Sequence, residues 1–152
     1  GQYFEGVPPQ LEGGILPVGA FELQNIEIWF PSYDLGIAVL DPDLSFYDVA
    51  GVIDLDENGA FAMDLQGEVT LISAEGAHFM RAINLSFSGL MQPERDRGPE
   101  LSAQISCPEE QSLSLFFEQP LNESGAPEGE LIIHIPFSAP VEGVQVMRFS
   151  QR

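Results

Sequence analysis

Between residues 77 and 90 (AHFMRAINLSFSGL) alternate positions are large and apolar: Phe79, Ile83, Leu85 and Phe87, interrupted once by Arg81. The positions between them, His78, Met80, Ala82, Asn84, Ser86 and Ser88, are mostly small or polar. Successive side chains leave a strand on opposite faces, so a period of two over this length predicts a long, half-buried β-strand. Four large apolar side chains, worth about 1.5–3 kcal/mol each when fully buried, would anchor one sheet face. The expectation is a central strand around which the others are laid.

The same period recurs along most of the chain. Residues 22–30 place Ile26, Ile28 and Phe30 on one face and stop at Pro31, which has no N–H for a ladder. Runs 35–40 and 46–54 follow, parted by the turn-forming triplet Asp41-Pro42-Asp43. Phe61, Met63 and Leu65 share a face in 60–66, and Val69 and Leu71 repeat the pattern in 68–73. Asn58-Gly59, ahead of these runs, is a strong hairpin signal. Beyond the charged, breaker-rich loop 91–100, runs 101–107, 112–118, 130–137 and 143–150 bring the total to about ten strands. No segment keeps a helical period over three turns.

Short, evenly spaced strands with turn signals between them predict an all-β fold, an antiparallel meander closing into a barrel. Closure removes exposed edges; a two-sheet β-sandwich would use the same pattern. Residues 1–20 hold five Gly and three Pro and read as an extended N-terminal arm or tether, not a folded unit, ahead of a single all-β domain over 21–152. Tyr3, Phe4, Ile15 and Leu16 are costly to leave in water, which gives that arm a reason to lie along the domain.

Charge narrows the partners. The 152 residues carry 24 Asp and Glu against five Arg and no Lys, a net charge of −19, yet 44% are hydrophobic. Such a chain is no disordered acidic tail, and it repels nucleic acid phosphates and anionic membrane surfaces. Nucleic acid is excluded as a partner. No apolar run approaches the roughly eighteen residues of a membrane helix. One Trp, three Tyr, no aromatic girdles and acids on most strands argue against an outer-membrane barrel. The first residue is Gly and not Met, which fits a chain that follows a removed targeting segment. An extracytoplasmic location, periplasmic, secreted or lipid-anchored, is the expectation. Cys107 is the one cysteine, so no internal disulfide exists. Its place at the end of the stripe Leu101, Ala103, Ile105 predicts a buried, inert thiol.

Catalytic patterns are missing. His78 and His134 are the only histidines, with no zinc-type spacing, nucleophile elbow or phosphate-binding glycine loop. The sequence therefore points to a protein that is not an enzyme. Three groups remain as binding candidates. Asp54-Leu55-Asp56-Glu57-Asn58-Gly59 fits the opening of a calcium loop, with Asp54, Asp56 and Asn58 as oxygen ligands, making calcium the candidate cofactor. The Glu expected at the twelfth loop position is replaced by Leu65, and a plain hairpin turn flanked by acids explains the same residues. Arg81 interrupts the stripe of the central strand and Arg148 continues the stripe Val144–Val146, so two inward guanidinium groups would hold a ligand carboxylate; the alternative is that each lies near a strand end and reaches water or pairs with one of the acids. Trp29, Phe30 and Tyr33 around Pro31 would form an aromatic platform. Finally, the polar faces of three consecutive strands carry Ser86, Ser88, Ser102, Ser106, Ser112 and Ser114 with Asn84 and Gln104, an uncharged carpet in an acidic protein.

Two functions fit these residues. One is a non-enzymatic extracytoplasmic β-barrel or sandwich that binds a small, partly apolar ligand. The other is a calcium-stabilised interaction or structural β-module with a protein partner and no small-molecule ligand.

Overall fold

A computed structural model of the chain describes residues 2–138 and 141–152. Among the described residues there are nine strands: β1 (Gln2–Glu5), β2 (Gly19–Phe30), β3 (Phe46–Leu55), β4 (Ala60–Ile72), β5 (His78–Pro93), β6 (Glu100–Cys107), β7 (Gln111–Glu118), β8 (Glu130–Phe137) and β9 (Gly143–Gln151). β2 to β9 pair antiparallel in chain order, and β9 returns to pair with β2 through Glu22, Glu27 and Trp29 among others. This is a closed eight-stranded antiparallel barrel plus one extra strand. Among the described residues no helix occurs.

The core follows from the alternation. Phe21 and Leu23 on β2, Ile53 and Leu55 on β3, Phe61, Met63 and Leu65 on β4, Leu101 and Ala103 on β6, Phe117 on β7, Leu131 and Ile133 on β8, and Met147 and Phe149 on β9 point inward. They form one buried cluster that fills the barrel with side chains. With eight strands the interior is just wide enough for that.

The N-terminal arm is an integral part of the wall. β2 pairs with β3 only from Gly19 to Glu22, which leaves its second half without a neighbour on that side. β1 fills the gap as a parallel strand against residues 27–30. Tyr3 is buried there, stacks on Phe30 at 6.2 Å between centroids, and donates its hydroxyl to the Phe46 carbonyl at 3.4 Å. Burial, then the nearby Tyr47, raises the Tyr3 pKa well above the ordinary phenol value. The arm then runs down the outside, where Leu11 is buried against Ile132 and Val146. Gly13 (φ +81) meets Glu118 and the 97–99 loop so closely that a Cβ would overlap the Gly98 carbonyl.

Three sequence expectations change. Residues 35–40 form no strand but a turn held by bridges Asp34–Val39 and Leu40–Ser73, with Asp34 Oδ1 accepting from the Gly36 N–H at 3.0 Å. The runs 60–66 and 68–73 are one strand, because Gly67 lets β4 pass within contact of the Asp48 carbonyl without a break. The third change is the position of β5. It is not central along its whole length.

Candidate functional site

β5 is the longest strand, and its two sides are unequal. Against β4 it is paired from His78 to Leu90 without interruption. Against β6 the ladder covers only residues 88–93, because β6 ends at Cys107. At the junction the register shifts, with Ser106 of β6 as the extra residue, and the missing Cβ of Gly89 leaves room for the Gln104 carbonyl. Beyond it, residues 78–87 project past the β6–β7 hairpin, and among the described residues no strand lies on that side.

The register fixes which backbone groups are free. The Met91 N–H donates to the Gly59 carbonyl at 2.8 Å, and the Ser73 N–H to the Ala77 carbonyl at 2.9 Å. In an antiparallel pair hydrogen-bonded and non-hydrogen-bonded positions alternate, so odd-numbered β5 residues bond to β4. The N–H and C=O groups of His78, Met80, Ala82, Asn84 and Ser86 therefore face outward from the sheet edge. Their side chains lie on the outer face, and those of Phe79, Arg81, Ile83, Leu85 and Phe87 on the inner face beside Leu71, Val69, Gly67, Leu65 and Met63. Ile83 and Phe87 pack on the core, whereas Phe79 is 55% exposed, Leu85 44% and Met80 67%. An open edge flanked by exposed large apolar side chains is what soluble proteins ordinarily avoid.

Arg81 is on the face that its stripe predicts, but it is exposed, since the strand has outrun the barrel there. Arg148 differs more. Val144, Val146 and Arg148 line the outer face of β9, and the stripe is apolar because Leu11 of the arm covers it; the inner residues are Met147 and Phe149. Arg148 pairs with Glu27 at 3.7 Å, and the other Glu27 oxygen accepts the Trp29 indole N–H at 3.1 Å. The two arginines are not brought together. His134 is buried on this same outer face, in a row with Val146 and Glu27. Burial, then the Arg148 charge, lowers its pKa, with Glu27 acting in the opposite direction.

The aromatic trio is split by β1. Phe30 is buried inside, Trp29 stacks on Phe4 at 4.7 Å on the outside, and Tyr33 donates its hydroxyl to the Tyr3 carbonyl at 3.2 Å. A groove of about 640 Å³ remains beside Trp29, lined also by Val7, Pro8, Pro31 and Phe137. A second groove, of about 770 Å³, lies at the foot of the free edge between Ser88, Leu90, Gln104 and Ser112, on part of the serine carpet.

In the acidic turn, Asp56 Oδ1 accepts the N–H groups of Asn58 at 2.8 Å and Ala60 at 2.9 Å. That carboxylate caps the β3–β4 hairpin. Among the described residues no three His, Cys, Asp or Glu side chains gather as a metal site, so Asp54, Asp56 and Asn58 are not joined there by further acids. Cys107 is exposed, contrary to its stripe, since it lies at the open end where β6 leaves β5.

Strand alternation does not mark the free edge, since it is the same whether a neighbour follows or not. Among the described residues no helix is long and apolar enough to cross a membrane. Comparison with protein-family models, with curated proteins and with solved structures returns no match in any of the three.

Proposed function

We propose that this chain is a non-enzymatic, extracytoplasmic binding module that takes an extended polypeptide segment as an added strand along β5. The supporting observation is the row of five residues, His78 to Ser86 at even positions, whose backbone donors and acceptors have no partner among the described residues. Strand addition draws affinity from such main-chain bonds and selectivity from side chains on alternate faces. Phe79, Met80 and Leu85 supply the apolar contacts. The small-molecule reading loses its inward arginine pair and its interior space, as Arg148 faces outward and side chains fill the barrel.

The test uses a displayed peptide library selected on the intact protein, followed by comparison with Ala82→Pro. Proline there removes an outward N–H and no bond to β4, so the fold is retained. Selected peptides should lose binding to Ala82→Pro. Peptides that bind both proteins equally would place the site elsewhere.

One observation favours a second reading. The groove beside Trp29 is mostly apolar and large enough for a small, partly apolar ligand. Trp29 is the only tryptophan, so its fluorescence reports occupancy directly. An emission unchanged by a panel of apolar acids and aromatic compounds would count against this second reading.

A further inference from the structure

Resting on the strand-addition reading, we infer that the segment received by β5 is the β5 edge of a second copy, paired antiparallel across a two-fold axis at Ala82. Charge gives the first reason. Between Glu75 and Glu94 the sequence contains no Asp or Glu, its longest such interval, and Arg81 lies within it. All 24 Asp and Glu of the chain lie outside this interval, none of them buried, and give the rest of the surface its net charge of −19. A strongly cationic partner, conversely, would be drawn to those other surfaces and not to this edge.

Self-complementarity is the second reason. With the axis at Ala82, Met80 faces Asn84 and His78 faces Ser86 of the second copy. All five outward residues then fall in hydrogen-bonded pairs, giving about ten main-chain bonds over roughly 30 Å of edge. On the inner face Phe79 meets Leu85, so the two exposed apolar residues of each copy cover one another. Ala82, the smallest residue of the run apart from Gly, meets itself. A two-fold interface requires this kind of reciprocity, and an isologous contact closes without forming fibres.

The nearest acids set the salt dependence. Two acids of β4 flank this edge: Asp64, which accepts the Ser86 hydroxyl at 2.5 Å, and Glu68 beside Ala82, whose counterpart in the second copy is three strand spacings away, about 14 Å. That exceeds the screening length of about 8 Å at 0.15 M salt but lies well inside the 30 Å or so at 0.01 M. The dimer should therefore strengthen as salt rises.

Sedimentation of the intact chain at submillimolar concentration should give twice 16.6 kDa in moderate salt and a larger monomer share in dilute buffer. Ala82→Pro should be monomeric with an unchanged unfolding midpoint measured at high dilution. Register is tested by disulfide trapping in a Cys107→Ser background. Opposed Cα atoms at the axis lie about 5.5 Å apart, within disulfide reach, so Ala82→Cys should cross-link to itself. Asn84→Cys is displaced from its own counterpart along the strand and should cross-link at least ten-fold more slowly. A chain that stays monomeric throughout, or Asn84→Cys trapping as fast as Ala82→Cys, would overturn the proposal. If the chain is monomeric while selected peptides still lose binding to Ala82→Pro, the strand-addition reading stands without a second copy. If both results fail, the edge is not a binding site.

Discussion

Truncating Phe117 to alanine tests whether the barrel is filled. Phe117 is 0% exposed, faces Ile133 across the β7–β8 pair, and belongs to the single buried cluster of the interior. Its backbone N–H is held by the Pro99 carbonyl at 2.8 Å, so the strand has little freedom to collapse into the space left behind. Loss of a fully buried phenylalanine with incomplete collapse costs about 3–5 kcal/mol. For a domain of this size each kcal/mol moves the midpoint by about 2–4 °C, so Phe117→Ala should lower it by roughly 6–20 °C. Denaturant unfolding followed by circular dichroism should show the same loss at an unchanged slope. A loss below about 1 kcal/mol would mean that Phe117 borders open space. The interior would then be a ligand cavity, and the small-molecule reading would regain its ground.

Other expectations follow from the remaining polar features. Asp56→Ala removes the acceptor for two turn N–H groups and should cost about 1 kcal/mol, whereas millimolar calcium should leave the wild-type midpoint unchanged; a rise with calcium, abolished by Asp56→Ala, would restore the metal site. The lowered pKa of His134 means that below the unfolded-state value, near 6.5, the unfolded chain takes up a proton that the native chain refuses. Its contribution is thus complete above that pH and declines as pH falls towards the folded value, by at most about 1.4 kcal/mol per pH unit. His134→Gln should flatten stability between neutral and mildly acidic pH relative to wild type, and identical profiles would refute the assignment. With 24 acids and five Arg, folding also works against self-repulsion, so the midpoint should rise with sodium chloride; a flat or falling midpoint would show the acids already neutralised.

The barrel was legible because burial alternates along most of its strands. Phe61, Met63 and Leu65 name their face without help from the rest of the chain, whereas in β8 Leu131 to His134 are buried on both faces. What was hidden depends on contacts distant in sequence. The Val144–Val146 stripe is apolar for the same reason as a core stripe, but the water is excluded by Leu11 of the arm, so Arg148, which continues it, lies on the outer face. Tyr3 and Phe4 give the arm a reason to pack, yet only the short β2–β3 ladder shows where β1 must go. Residues 35–40 alternate too briefly to outweigh the side-chain turn at Asp34. The β5 alternation specifies a strand but not where along it the neighbours end. A neighbour's length, not β5's own residues, decides where pairing stops.

Amide hydrogen exchange along β5 at increasing protein concentration addresses the free edge most directly. The N–H groups of Phe79, Arg81, Ile83, Leu85 and Phe87 are bonded to β4 and should exchange slowly at every concentration. Those of Met80, Ala82, Asn84 and Ser86 should exchange near the unprotected rate in dilute solution and become protected as copies associate. Even-numbered amides as slow as their odd neighbours at the lowest concentration would contradict the open edge. Even-numbered amides that stay fast in a sample shown to be dimeric would contradict the two-fold pairing.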